Sequence, residues 1–230
     1  MEKSKNIKWI ASIDPGKKNF AFCIEEFSLS EIEELKFLNK KNIKENYNLD
    51  GTPTLEFNRV LEKVYLNGKV ILFLNTNVTQ NCDNRLKFDE RILKNIITLL
   101  DEYINYWVQC DYFIIERQMS FGTKCNLKIA QHCWTYFMLK TRNSRICEFP
   151  AYHKTQILGA EKTLLVKRYK PMNKTERKKW TFKKFLEILE KRGDDESIKI
   201  LNINKKKDDV SDAFCQIQAF KVNNLLYGSI

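Results

Sequence analysis

The chain has 230 residues, of which 43% are hydrophobic and 30% are charged. This balance is typical of a globular protein and excludes an intrinsically disordered one. No apolar run approaches the roughly 18 residues of a membrane span, which argues against a membrane-spanning protein. A chain of this length can bury a core without disulfide or zinc staples, so we predict one domain over residues 1–230.

The chain is strongly basic, with 40 Lys and Arg residues against 29 Asp and Glu and a formal net charge of +11. Such a field attracts polyanions, and binding to nucleic acid would release counterions. The chain is also crowded with Lys, Asn and Ile, which AT-rich codons encode, so codon usage can account for part of the charge. The charge therefore motivates a nucleic-acid hypothesis without establishing it.

The seven cysteines form an odd set without a CxxC pair. Several lie in apolar stretches, where a thiol packs as a small hydrophobic group. We therefore expect reduced cysteines in an intracellular protein. The residues before the first strand resemble neither a secretory signal nor an Arg- and Ser-rich presequence, so we expect the cytoplasm rather than the mitochondrion.

The beginning of the chain predicts three strands. Residues 8–14 form a short apolar stretch that Pro15 and Gly16 stop, as expected of a strand that enters a tight turn. Residues 19–26 return as a second strand, and residues 34–39 are predicted as a third antiparallel one.

The pattern breaks between residue 40 and about residue 83, a segment rich in Asn, Gly and Pro with one strongly apolar run at 70–74. We interpret it as an insertion or an elaborated hairpin. The later elements are predicted as a helix at 88–107, a strand at 111–116, a helix at 127–140, a strand at 145–150 and helices at 174–192 and about 208–222. This order predicts an α/β fold with a mixed sheet, in which helical crossovers join the later, parallel strands.

Acidic residues stand at three places where a buried core would not accept them. Asp14 ends the first apolar strand, and Glu116 ends the other strongly apolar strand. Asp209 and Asp212 open the last predicted helix three residues apart, so that both lie on one face. If the two strands are neighbours, four carboxylates converge at the edge of the sheet. Repulsion and desolvation make such a cluster unfavourable unless it binds cations.

Oxygen ligands without a nearby Cys or His pattern favour Mg²⁺ or Mn²⁺ over zinc. Two such ions about 4 Å apart can stabilise the attacking and the leaving oxygen when a phosphodiester is cut. In this scheme one ion activates water and the other stabilises the leaving 3′ oxygen. The protein itself then needs no nucleophile.

Each acid also has a structural interpretation. Asp14 could form the turn before Pro15, and Glu116 could form a salt bridge at the end of its strand. Asp208 and Asp209 could cap the last helix and stabilise its dipole. Asp212 has no capping role, and the joint pattern is more specific than any of its members.

Three short motifs succeed one another along the chain: Ser12-Ile-Asp-Pro-Gly16, Ile115-Glu-Arg-Gln118 and Lys206-Lys-Asp-Asp-Val-Ser-Asp-Ala213. In this order they resemble the three acidic motifs of the RuvC-like Holliday-junction resolvases, which belong to the RNase H-like superfamily. The match is best to the branch that holds the poxvirus and the fungal mitochondrial enzymes. The segment at 40–83 is longer than this family's pattern leads us to expect.

The resemblance implies a structure-selective endonuclease that resolves four-way DNA junctions with two Mg²⁺ ions per active site, which Mn²⁺ can replace. Asp14, Glu116, Asp209 and Asp212 would be its catalytic, metal-binding carboxylates in an RNase H-like sheet, and Asp208 is a fifth candidate. The family also implies a homodimer that makes paired symmetric nicks. A virus-type enzyme of this kind would act in recombination and concatemer processing in the host cytoplasm.

Two basic stretches could grip phosphates near these acids, although a solvated helix face explains them equally well. The candidate DNA-binding residues are Lys167, Arg168, Lys170, Lys174, Arg177 and Lys178. Two other functions stay open. One is a different RNase H-like nuclease, acting on RNA-DNA hybrids or flaps, and the other is a junction-binding protein without catalysis.

Overall fold

A mixed five-stranded sheet forms the centre of the structure, a computed structural model that describes residues 6–38, 42–80, 82, 90–118, 124–165, 168–203 and 206–228. Its strands are Ile7–Pro15 (β1), Phe20–Ser28 (β2), Lys69–Thr76 (β3), Tyr112–Arg117 (β4) and Arg145–Pro150 (β5). Their spatial order is β3-β2-β1-β4-β5. β2 pairs antiparallel with both β1 and β3, whereas β4 and β5 run parallel to β1. The predicted mixed α/β sheet is confirmed.

Helices cover both faces of the sheet. They are Leu29–Leu38 (α1), Leu55–Leu66 (α2), Glu90–Glu102 (α3), Ile104–Trp107 (α4), Cys125–Lys140 (α5), His153–Ile157 (α6), Lys174–Arg192 (α7), Asp195–Ile203 (α8) and Lys207–Phe220 (α9). A 3-10 turn at Ile43–Asn46, a π-helical segment at Lys221–Leu226 and a small hairpin of Thr163–Leu165 (β6) and Arg168–Lys170 (β7) complete the described elements. In the described part of the chain, no helix is both long and apolar enough to cross a membrane.

The core is divided by the sheet into two layers because successive strand residues point to opposite faces. On β1, Ile10 packs into the layer under α2, α7 and α9, whereas Ile13 packs into the layer under α3 and α5. On β4, Ile114 and Ile115 divide in the same way. This alternation also decides which face the residues at the ends of the strands use.

The predicted third strand at 34–39 is wrong as far as the described residues reach, since residues 34–38 belong to α1. Ile32 and Leu35, three residues apart, are both buried in the core layer that contains α9, which is a helical period rather than a strand period. The third strand of the sheet is instead β3, which contains the apolar run at 70–74. The segment at 40–83 therefore supplies one strand of the central sheet.

The later elements follow their sequence signals closely. α7 has the predicted bounds because Asn173 and Glu176 form a capping box at its start and Gly193 ends it with a left-handed φ of 67°. The predicted helix at 88–107 is divided at Tyr103 into α3 and α4, and residue 88 lies outside the described residues. The sequence did not reveal α2, α6 and α8.

Candidate active site

Asp14 and Glu116 stand at adjacent strand ends. β1 and β4 pair in parallel with Ile13 opposite Ile115, and the two acids come one residue later on each strand. By the alternation of side chains, both acids belong to the face that α9 covers. The predicted neighbourhood of these two strands is therefore present, at the carboxyl ends of the central strands.

α9 lies against this face and brings two further acids. Ser12 donates a hydrogen bond from Oγ to Oε1 of Gln216 at 3.2 Å, and the Gln216 amide donates to the backbone oxygen of Phe149 at 3.5 Å. These buried contacts connect α9 to β1 and β5. Asp212 lies one turn before Gln216, and the residue three positions earlier, Asp209, is on the same side of the helix.

The four predicted carboxylates line one pocket. We call it the acidic pocket, and its lining includes Asp14, Glu116, Asp209, Asp212, Lys154, Gln118, Lys174, Arg177 and Lys178. The structure thus brings together residues that are almost 200 positions apart in the sequence. The four acids that the sequence analysis singled out are thus grouped around one depression.

Lys154, which the sequence analysis missed, lies at the bottom of the acidic pocket. Its Nζ atom is 3.0 Å from Oε2 of Glu116 and 3.3 Å from Oδ2 of Asp212. The residue is only 3% exposed. Burial disfavours the ammonium ion, but the charges of Glu116 and Asp212 outweigh burial and raise the pKa of Lys154. Lys154 therefore stays protonated and compensates part of the negative charge.

In contrast to Lys154, Asp14 lies in an environment that disfavours its ionised form. Burial, followed by the charge of Glu116, raises the pKa of the Asp14 carboxyl well above its usual value, although Lys154 acts against this shift. A carboxylate in this position is costly unless a cation lies next to it. The ionised form of Asp14 would therefore be stabilised by a bound metal ion.

Asp208, the fifth candidate, faces another partner. Lys178 contacts Oδ2 of Asp208 at 2.5 Å and Oδ1 of Asp209 at 2.8 Å. Asn75, at the end of β3, contacts the other oxygen of Asp209 at 3.4 Å. Burial opposes ionisation of Asp208, but the hydrogen bond from Lys178 outweighs it and lowers the Asp208 pKa. Asp208 lines a groove beside the acidic pocket.

The acids that line the pocket offer carboxylate oxygens, which are the ligands that a hard divalent cation prefers. Two ammonium groups, from Lys154 and Lys178, pair with three of these four carboxylates, those of Glu116, Asp212 and Asp209. Within the residues described, no three Asp, Glu, His or Cys side chains are grouped closely enough to hold an ion. Metal binding would therefore require the two lysines to give way and the carboxylates to approach one another.

The predicted DNA-binding residues divide into two groups. Three of them line the acidic pocket: Lys174, Arg177 and Lys178. Lys170 is exposed in the small hairpin and does not belong to the lining. Lys167 and the side chain of Arg168 lie outside the described residues. The start of α7 thus places three of the predicted basic residues in the lining of the acidic pocket.

Solved structures share this architecture. The fowlpox virus resolvase, solved in complex with its substrate Holliday junction DNA, has a TM-score of 0.53 and 18% identity, covering 94% of this chain and 97% of that one. The yeast mitochondrial Holliday junction resolvase Ydc2 has a TM-score of 0.52 and 13% identity, covering 95% of this chain and 82% of that one. The chain therefore shares the fold of these two resolvases, as the motifs predicted.

No protein-family model matches the chain. Over 233 residues it is 33% identical to the uncharacterized protein 170L of Invertebrate iridescent virus 6. This match covers 93% of this chain and 88% of that protein. The chain belongs to the same family as this iridescent virus protein.

Proposed function

We propose that the protein is a magnesium-dependent endonuclease that resolves four-way DNA junctions. The observation that carries this proposal is the acidic pocket, in which Asp14, Glu116, Asp209 and Asp212 meet from two strands and one helix. The fold shared with the fowlpox virus resolvase, which was solved with Holliday junction DNA, supports the choice of substrate. Because function depends on the site rather than on the fold, the acidic pocket is the stronger of the two supports.

In the proposed reaction, the four carboxylates would hold two Mg²⁺ ions, which would supply an activated water and stabilise the leaving 3′ oxygen. The other residues of the acidic pocket have electrostatic roles. Lys174 and Arg177 would attract and orient the phosphate, because both are positively charged and line the acidic pocket. Lys154 would reduce the repulsion between Glu116 and Asp212 before the substrate arrives.

We further propose a homodimer, because paired symmetric nicks require two active sites on one junction. The biological setting would be recombination and concatemer processing in a viral infection, in keeping with the viral relative. The host cytoplasm is the location that we propose for this activity.

A junction cleavage assay tests the proposal. The purified protein is incubated with a labelled synthetic four-way junction and with a linear duplex of the same sequence, in Mg²⁺ or in EDTA. We expect paired nicks in the junction only, which EDTA abolishes. The Asp14→Asn variant should bind the junction and leave it uncut, whereas Lys69→Gln, at the opposite end of the sheet, should cut as the wild type does. Stronger cleavage of RNA-DNA hybrids or flaps would identify a different RNase H-like nuclease.

One observation favours a binding protein without catalysis as the second candidate. Lys154 and Lys178 already pair with three of the four acids of the pocket, so part of the negative charge is compensated without a metal ion. Tight junction binding that neither Mg²⁺ nor Mn²⁺ converts into cleavage would decide for this candidate.

A further inference from the structure

A second groove opens beside the acidic pocket, where α7 and α9 begin. Its lining consists of Lys174, Thr175, Lys178, Lys179, Phe182, Lys207 and Asp208. Lys174 and Lys178 line this groove and the acidic pocket alike, so the two depressions are adjacent. We call its four lysines, Lys174, Lys178, Lys179 and Lys207, the basic shelf.

The basic shelf has an excess of positive charge. Among the residues that the structure describes, Asp208 is the single acid in the lining of this groove, and its carboxylate contacts Lys178. Lys174 and Lys179 are exposed on the first two turns of α7. A groove with four ammonium groups and one carboxylate is complementary to a phosphate backbone.

Lys207 is held in place by neutral groups. Its Nζ atom donates to Oδ1 of Asn202 at 3.2 Å and lies 5.7 Å from the centre of the Phe182 ring. Both contacts orient the ammonium ion without cancelling its charge, and a cation over an aromatic face is itself attracted. Lys207 is therefore oriented for an anion from solvent.

Lys207 and Asp209 are only two residues apart at the start of α9. An anion bound by Lys207 would consequently lie close to the acidic pocket, whose lining includes Asp209. A strand with one phosphate in the acidic pocket must place the next phosphate to one side of it, and the basic shelf lies directly beside the pocket, with which it shares Lys174 and Lys178.

We propose that the basic shelf binds the backbone phosphate next to the scissile one, in the strand that is to be cut. This inference rests on the proposed function, because it needs a DNA strand in the acidic pocket. Lys179 and Lys207 are positioning residues in this scheme, and Phe182 holds Lys207 in place. The shelf compensates the repulsion that the acids of the pocket exert on DNA.

Binding in EDTA, without any cleavage, tests the proposal. The affinity for an intact four-way junction is measured by fluorescence anisotropy as a function of KCl concentration, for the wild type, Lys179→Gln, Lys207→Gln and the matched control Lys69→Gln. Each shelf variant should bind more weakly and lower the slope of log K against log[KCl] by about 1, as expected for one lost phosphate contact. The control should keep the wild-type slope, and unchanged thermal unfolding of each variant would show that the fold is intact.

A neutral methylphosphonate, moved along the cut strand one linkage at a time, locates the contact. For the wild type, neutralising the linkage beside the cleavage position should weaken binding. For Lys207→Gln, which has already lost this contact, neutralising the same linkage should leave the affinity unchanged. Equal losses for wild type and variant at every linkage, or wild-type slopes for both shelf variants, would overturn the proposal. If the protein cuts junctions but the shelf variants bind as the wild type does, the proposed function stands and the shelf proposal fails. If the shelf variants bind more weakly but the protein cuts no junction, the shelf proposal stands and the proposed function fails.

Discussion

Thr181, fully buried on α7, donates a hydrogen bond from Oγ1 to Oδ1 of Asp212 on α9 at 2.7 Å. The other oxygen of Asp212 faces Lys154 at 3.3 Å. The two contacts fix the plane of this carboxylate before any metal ion or DNA is bound. The packing of α7 against α9 therefore positions one acid of the acidic pocket.

Replacing Thr181 by Val tests this role. The variant has nearly the same shape but leaves Oδ1 of Asp212 without its donor, which should lower the free energy of unfolding by about 1–3 kcal/mol. The Mg²⁺ concentration for half-maximal cleavage should also rise, since Asp212 is less well oriented. Urea unfolding and a Mg²⁺ titration measure the two effects. Thr181→Ser keeps the hydroxyl, and a Ser variant as defective as Val would contradict the prediction.

Lys154→Gln should expose the repulsion inside the acidic pocket. Removing one partner of a buried ion pair costs about 3–5 kcal/mol, and this loss should appear in EDTA. Mg²⁺ should restore part of it, because a ligand that binds only the folded state stabilises that state. Differential scanning fluorimetry should therefore show a larger Mg²⁺-induced rise in melting temperature for Lys154→Gln than for the wild type.

Lys8→Gln is the matched control for that experiment. Lys8 pairs with Asp111 at the start of β4, at the other end of the sheet from the acidic pocket. Its loss should lower the melting temperature slightly and independently of Mg²⁺. An equal Mg²⁺ response in the two variants would refute a special role for Lys154.

Glu25 should be more important for stability than any exposed acid. This fully buried carboxylate contacts Lys221 at 2.6 Å and Arg192 at 2.9 Å. Glu25→Gln leaves two buried cations without their partner and should cost about 3–5 kcal/mol of unfolding free energy. Glu62→Gln, which breaks the half-exposed pair with Lys191, should cost less than about 1 kcal/mol. Urea unfolding of both variants compares them, and similar losses would contradict this prediction.

The same carboxylate predicts a pH dependence. Burial acts to raise the pKa of Glu25, but the charges of Arg192 and Lys221 outweigh it, and the pKa is lowered. A lowered folded-state pKa means that the stabilisation is complete above the unfolded-state pKa of about 4.3 and is lost as the pH falls further. The difference in unfolding free energy between wild type and Glu25→Gln should therefore be constant from pH 7 to about pH 5 and shrink below about pH 4. A constant difference down to pH 3 would show that Glu25 does not titrate in this way.

The sequence predicted the acids of the site because each stands at a recognisable boundary. Asp14 and Glu116 end apolar runs, and the spacing of Asp209 and Asp212 is visible without a structure. Lys154 has no such signal. Its place depends on β5 lying next to β4 and on the short helix that follows, which only the tertiary structure provides.

The third strand was misplaced for a related reason. Residues 34–38 alternate apolar and polar side chains closely enough to fit a strand, but the burial of Ile32 and Leu35 follows a helical period. The true strand, β3, is isolated between Asn- and Gly-containing turns, and nothing local shows that it pairs with β2. Short apolar runs are ambiguous in this way until their neighbours are known.

α9 is fixed at both of its ends by charged groups. Asp209 and Asp212 lie in its first turns, whereas Gln218 in its last turn donates to Glu25 at 2.7 Å. Gln218 follows Asp209 by nine residues, so the helix separates the two positions by about 14 Å. A substitution at Glu25 would thus change the alignment of α9 and, with it, the positions of Asp209 and Asp212 in the acidic pocket. A folded Glu25→Gln protein should therefore cut junctions more slowly while binding them normally.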